Sequence, residues 1–514
     1  MTLVRETGSE IIAQFTVPTR GTWRNVAIHT IPLDALYDSL NVFVREGKLR
    51  NRPGLTLLDD TLFLEPVLGG FMVVTPLEKT ILAITQLRIY QLSNISGQWS
   101  TLLAPAMTNF APNNNSVVDM TFMETAGSYV AVIAQENNVL KQWTNSPLSV
   151  SVMTGTNIPT AKSVCTAASR IIALISPHTV VWSNTLNPNV YSSLAYAKRA
   201  QTGDVGVCVK PLSALSFVLY KERSIHMARA QAGLDEGTAF IFLEPLYVEG
   251  PAGIYAVVNV NGTHIYMTKN GRVAMFNGTS YPQWLCDGLW FFLQEDIDQT
   301  AAHKIRGVYD YRLHTVTFFY PKINSGNGLR GMVTINLPLE GLDTVSATLP
   351  HAFLGLCAKP VTHACEKRFD STVDRSLIIT QASSPVNDAR AFIFDELSSL
   401  DGDLPFNCMF QTGLQPMPDA RHTHVSVETF LERNYGYGSA FIEPVISDAL
   451  ENSTGTIPEL SGQWIDLESN PIREYKGFGR QVRFFGLKYS WSSINHLRYS
   501  GAVVYASSLP KYRK

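Results

Sequence analysis

Few residues in this 514-residue chain have the type and spacing to do chemistry. His422 and His424 stand two apart in a run that reads as a strand, where alternate side chains share a face and could share a metal ion. No third ligand follows at a usual spacing, so the pair reads as two histidines on a strand surface. Cys357, His363 and Cys365 lie close together but lack the fourth ligand of a structural zinc site. Glu295, Asp296 and Asp298, and separately Asp401 and Asp403, are the groups a glycosidase sets on either side of a scissile bond. Both sets fall in loop-like stretches, and nothing places a second carboxylate opposite either. A nucleophile elbow, a P-loop and HExxH are all absent. The reading is a protein that is not an enzyme and needs no metal or cofactor.

The remaining candidates are cations. Arg45, Lys48, Arg50 and Arg52 put four positive charges in eight residues, on a hairpin expected over 41–45 and 48–52 around Glu46-Gly47 and followed by a Pro53-Gly54 turn. Such charge suits a solvated edge that resists aggregation; the alternative is an anchor that docks on an acidic partner. Arg473, Lys476, Arg480, Arg483 and Lys488, with Lys511, Arg513 and Lys514, form a second basic stretch. It reads as a solvated edge, or as an intersubunit or DNA-facing surface with salt-sensitive contacts. Over the whole chain 41 basic residues nearly cancel 43 acidic ones, which excludes a protein that grips nucleic acid through a basic excess. No apolar run approaches the ~18 residues of a spanning helix. Arg5, Glu6 and Glu10 interrupt the place of a signal peptide, so the expectation is a soluble chain made in a cytoplasm. Six cysteines without CxxC spacing read as reduced thiols.

The elements that must carry these residues are strands. Between 250 and 321 the dipeptide Asn-Gly recurs at Asn261-Gly262, Asn270-Gly271 and Asn277-Gly278, each expected to close a two-residue hairpin. Strands are expected over 254–260, 263–268 and 272–276, with a further hairpin over 308–311 and 315–320. From residue 62 to about 320 a unit of strand, polar turn and strand ending in a large side chain repeats every 40–50 residues or so, reaching Trp143, Trp182, Met227, Phe276 and Tyr320. That period is the signature of a β-propeller, in which no blade buries both faces alone. Five to seven blades fit. The fold class is therefore all-β: a propeller-like repeat domain with an additional antiparallel barrel or sandwich region. The expected division is an N-terminal arm and hairpin over 1–58, blades over 59–395, and an antiparallel region over 396–514 that either closes the propeller or forms a separate platform. Residues 33–40 are the best short helical candidate.

Trp23, the stretch 36–54 with its NVFVREGKLRNRPG core, and the units GTHIYMTKNGRVAMFNG and GVYDYRLHTVTFFY resemble the tail nozzle proteins of short-tailed bacteriophages, also called tail tubular protein B or phage stabilisation protein. A GRQVRF-like strand at 479–484 belongs to the same resemblance. It implies a propeller-bearing homohexameric ring in the virion, assembled in the host cytoplasm and mounted beneath the head-to-tail adaptor. Such a ring extends the channel through which double-stranded DNA passes without sequence recognition, and holds the genome until ejection. Other tail proteins are possible further partners. A near-neutral wall would let DNA slide. Two other expectations stand beside this one: a propeller that recognises host-surface glycan through an aromatic-lined pocket, and a glycosidase.

Overall fold

The computed structural model describes residues 9–75, 78–85, 88–94, 99–103, 117–125, 128–145, 148–231, 236–325, 328–337, 351–369, 375–380, 389–416, 422–433, 439–447, 463–466, 472–476, 484–495 and 497–508. Alternating apolar runs and short polar turns set their secondary structure, which is strand almost throughout. Five consecutive four-stranded antiparallel sheets follow one another along the chain, each an up-and-down meander. Blade 1 runs from Gly69–Val74 to Trp99–Leu103, blade 2 from Val118–Thr125 to Leu148–Val152, and blade 3 from Ser163–Ala167 to Asn187–Lys198. Blade 4 runs from Gly206–Ser213 to Phe240–Phe242 and blade 5 from Val257–Val260 to Gln283–Leu285.

The sixth and seventh blades share one 17-residue strand, His351–Lys367. Its first half pairs with Leu329–Asn336 and completes blade 6, begun by Arg306–Asp310 and Thr315–Tyr320. A register shift after Val361 hands its second half to Arg375–Thr380, which pairs with Ala391–Asp395. The outer strand of blade 7 is Gly54–Leu57, from near the other end of the chain. The blade count is seven, and the ring is closed by a strand more than 300 residues distant in sequence. The innermost strands neighbour one another in cyclic order, with blade 7 against blade 1.

A buried apolar cluster fills each seam. Trp143 packs with Leu82 and Ile84 between blades 1 and 2, and Trp182 with Phe217 between blades 3 and 4. Phe319 packs with Phe394 between blades 6 and 7, and Tyr90 with Leu377 between blades 7 and 1. This is the burial that no single blade achieves alone. The repeated large residues Trp143, Trp182, Met227 and Phe276 all lie on the third strands of their blades, whereas Tyr320 ends the second strand of blade 6.

Residues 1–58 and 396–514, read above as an arm and a C-terminal region, share two sheets. In one, Val42–Arg45 pairs with Lys48–Asn51, which leads to Leu497–Ser508, His422–Arg433 and Ile472–Lys476, with Ser9–Phe15 also on Leu497–Ser508. In the other, Leu36–Leu40 pairs with Asn407–Thr412, followed by Phe484–Ser492, Ser439–Ser447 and Gln463–Asp466. Phe15, Leu36, Phe43 and Leu49 from the first segment and Phe410, Leu487, Tyr489 and Tyr499 from the second form one core. The expected helix over 33–40 is instead the strand Leu36–Leu40, because pairing with Asn407–Thr412 buries Leu36 and tertiary context overrides a weak local preference. The α-helix of the described residues is Trp290–Asp296. It is not long enough to cross a membrane.

Turn geometry matches two of the expected hairpins. Glu46-Gly47 and Asn261-Gly262 both have two positive φ values, 53° and 69°, and 50° and 84°, as a type I′ turn requires. The other Asn-Gly pairs do not close two-residue hairpins. Thr268 N–H donates to the Arg272 carbonyl across a longer loop, and the Asn277 side chain accepts from Thr279.

Candidate functional site on the propeller axis

Each blade sends one residue at or beside its innermost strand to the axis: Gly70, Asp119, Ser163, Lys210, Tyr255, Arg306 and His363. Tyr255 crosses the centre. Its hydroxyl donates to the Val118 carbonyl at 2.7 Å and accepts the Gly70 N–H at 3.2 Å, so a blade 5 side chain reaches blades 1 and 2. His363 meets the Tyr255 ring edge-on with centroids 4.8 Å apart, and its Nε2 donates to the Gly70 carbonyl at 2.9 Å. Arg306 and Lys210 both lie over the Tyr255 ring, at 4.8 and 5.3 Å, where the ring quadrupole attracts cations.

Asp119 ties three blades together. It accepts Lys210 Nζ at 3.0 Å, Ser163 Oγ at 2.5 Å and Val164 N–H at 3.1 Å, and the Val209 N–H donates to Ser163 Oγ. Arg306 has no such partner. Its guanidinium reaches the backbone carbonyls of Lys304 and Ile305, its Nε has no acceptor, and among the described residues it pairs with no carboxylate. Burial lowers Arg306 to about 10, and burial together with the Arg306 charge lowers His363 to about 3. His363 is therefore neutral, and the hub holds two cations against one carboxylate. This arrangement plugs the axis.

Above the plug lies a funnel of about 620 Å³, lined by residues of blades 2 to 6, a size typical of ligand pockets. Val117, Val207, Ala252 and Ile254 form apolar wall, and Gln135, Asn137, Asn138, Gln299 and Thr300 bring amides and a hydroxyl. Among the described residues no Trp, Tyr or Phe lines it, so the described lining offers no stacking surface of the kind expected of a glycan pocket.

The candidate cations do not share one surface. Arg52 is 5% exposed and forks onto the fully buried Asp401, Nη1 to Oδ1 at 2.9 Å and Nη2 to Oδ2 at 2.6 Å. Its Nε donates to Asn41 Oδ1, and it stacks 3.8 Å over Phe406. It is an internal clamp that no partner could reach. Arg45 pairs with Glu396, and Arg50 with Glu46 at 3.1 Å. Lys48 is half-buried on the same hairpin. Of the C-terminal cations, Lys488 pairs with Glu443 at 3.0 Å, and Arg473 and Lys476 lie on the strand Ile472–Lys476. Arg480, Arg483, Lys511, Arg513, Lys514 and the 479–483 part of the GRQVRF stretch lie outside the described residues.

The metal-like and acidic groups are separated by the fold. His422 and His424 flank a register irregularity in their strand. His363 belongs to the hub and Cys357 to the seam between blades 6 and 7. Among the described residues no three His, Cys, Asp or Glu side chains are placed to hold a metal. Asp296 accepts from Tyr320 and Lys322, Asp298 accepts from Thr300, Asp401 holds Arg52, and Asp403 meets Lys359 at 3.0 Å. The hub itself went unnoticed in the sequence, although its members recur at intervals of 49, 44, 47, 45, 51 and 57 residues. A polar residue recurring at the blade period is the signal that marks them.

No family model and no curated protein matches the chain. Among solved structures it is similar to the crystal structure of the RRP9 WD40 repeats, at 12% identity and a TM-score of 0.41, covering 67% of this chain and 99% of that one. It is also similar to the structure of U3-55K, at 11% identity and a TM-score of 0.42, covering 66% and 99%.

Proposed function

We propose that this propeller protein is a structural subunit of the tail of a short-tailed bacteriophage, one of six copies in the nozzle ring beneath the head-to-tail adaptor. One observation carries the reading: two of the stretches that resemble nozzle proteins, the hairpin within 36–54 and the GVYDYRLHTVTFFY unit, meet at a joint on which the residues flanking Trp23 also dock. Arg24 N–H donates to the Gly288 carbonyl and its guanidinium lies 4.2 Å over Phe292, behind blade 5. Thr22 N–H donates to the Ala352 carbonyl, and Asn336 Nδ2 donates to the Val44 carbonyl of the hairpin. Glu396 bridges Arg45 of that hairpin and Arg312 of the GVYDYRLHTVTFFY unit, the latter at 3.5 Å. The hairpin thus joins propeller to sandwich, which suits a chain whose work is to hold a shape.

The plugged axis gives this function a definite geometry. DNA does not pass through a propeller crossed by Tyr255; the channel lies between copies, with a near-neutral wall that lets it slide without sequence recognition. The chain belongs in the virion, after assembly in the host cytoplasm. Mixing the purified protein with portal–adaptor complexes and sedimenting them tests the proposal. Saturable co-sedimentation is expected, and a chain that stays in the supernatant at every concentration contradicts it.

A further inference from the structure

The funnel and the plug beneath it have a polarity that the nozzle reading does not use. Glu136 and Glu222 stand exposed at its lip with Lys269, whereas Lys162 and His303, further in, are half-buried. Val117 and Ile254 of the wall immediately precede Val118 and Tyr255 of the plug, whose ring Lys210 and Arg306 face from behind the funnel's own lining. There two cations share one carboxylate: Asp119 bonds Lys210 and Ser163 and acts on buried Arg306 only through space, and among the described residues Arg306 is bonded to no carboxylate and its Nε is unpartnered. A cation out of water and without an anion is costly, and in a low-dielectric site its field reaches further than at a surface. The floor therefore attracts negative charge, and the lip offers carboxylates to positive charge.

We infer that the funnel is a socket for an extended segment of a partner protein, entering with an acidic side chain foremost and a basic residue behind it at the lip. The wall chemistry agrees: Asn138 Nδ2 donates to Gln135 Oε1 and the Glu136 carbonyl, which leaves Gln135 Nε2 to donate to a peptide backbone and Asn138 Oδ1 to accept from it, and Val117, Val207 and Ile254 receive aliphatic carbons. A sugar would want an aromatic platform, which the described residues of the lining do not supply.

The test pans a display library of random dodecapeptides against the full chain, then measures the enriched peptides against Lys162→Glu and Glu222→Lys variants with unchanged thermal midpoints. The expected winners carry Asp or Glu followed within a few residues by Lys or Arg. Each should lose roughly tenfold in affinity on either charge reversal. No enrichment over the bare support, winners without that order of charges, or equal binding to both variants would overturn the inference. So would an oligosaccharide, rather than a peptide, that binds and is lost on the same substitutions.

Discussion

Residue by residue, the stability of this chain depends on charges it buries. Arg52 and Asp401 sit in the joint with almost no exposure, and the pair is satisfied on both sides by Asn41 and backbone groups. Removing one partner leaves the other charged and out of water, so Arg52→Leu or Asp401→Asn should each cost about 3–5 kcal/mol in chemical denaturation. The double replacement Arg52→Leu with Asp401→Leu should recover much of that, and a loss under 1 kcal/mol or so for either single change would contradict the clamp. Histidines add a pH dependence. Burial lowers His226 and His264 to about 4 and His363 to about 3, with Lys221 also acting on His226 and Arg306 on His363. His264 shows why the neutral form is kept: Nε2 can only donate to the Pro211 carbonyl, which leaves Nδ1 to accept the Tyr220 hydroxyl. An unfolded histidine protonates near 6.5, so below that pH the unfolded state binds more protons than the fold. The histidine contribution to stability should be flat above about pH 6.5 and fall as pH drops toward about 4, against an opposite trend from Glu366, which burial raises to about 8, measured as the denaturant midpoint at fixed ionic strength. A midpoint that rises as pH falls from about 6.5 to about 4 would contradict this placement.

Among the elements, the closing strand matters most. Gly54–Leu57 is short, yet it supplies the outer edge of blade 7, and Leu55 of that strand is fully buried in the seam to blade 6. A fragment of residues 59–395 should therefore lose cooperative unfolding and bind hydrophobic dyes, while the full chain does not; a fragment that melts as sharply as the whole would show closure to be dispensable. Gly69 makes a finer test, since a Cβ there would lie 2.0 Å from the Val118 carbonyl oxygen at the junction of blades 1 and 2. Gly69→Ala should lower the melting midpoint by several degrees. These elements also show what could be read in advance. Second and third strands such as Thr263–Met267 and Val273–Phe276 were legible because a local alternation and a turn define them. Blade 7 was not, because half of a shared strand and a strand from residue 54 carry no local mark of belonging together. The hub residues were hidden for a related reason: Asp119, Lys210 and Arg306 are ordinary strand charges until the ring places them around one axis.

For the whole molecule, the account is of two closed bodies, propeller and sandwich, locked by a joint made of residues from both ends of the chain, with the propeller axis blocked. A ring built from such subunits has its lumen between copies and needs extensive burial at each contact, above the ~2,000 Å² where obligate interfaces begin. Electron microscopy of the assembled protein tests this directly. The account predicts six-fold end views with one central lumen and seven-bladed toroids around it, each without a through-hole. Particles that remain single at all concentrations, or DNA density threading a propeller, would contradict it.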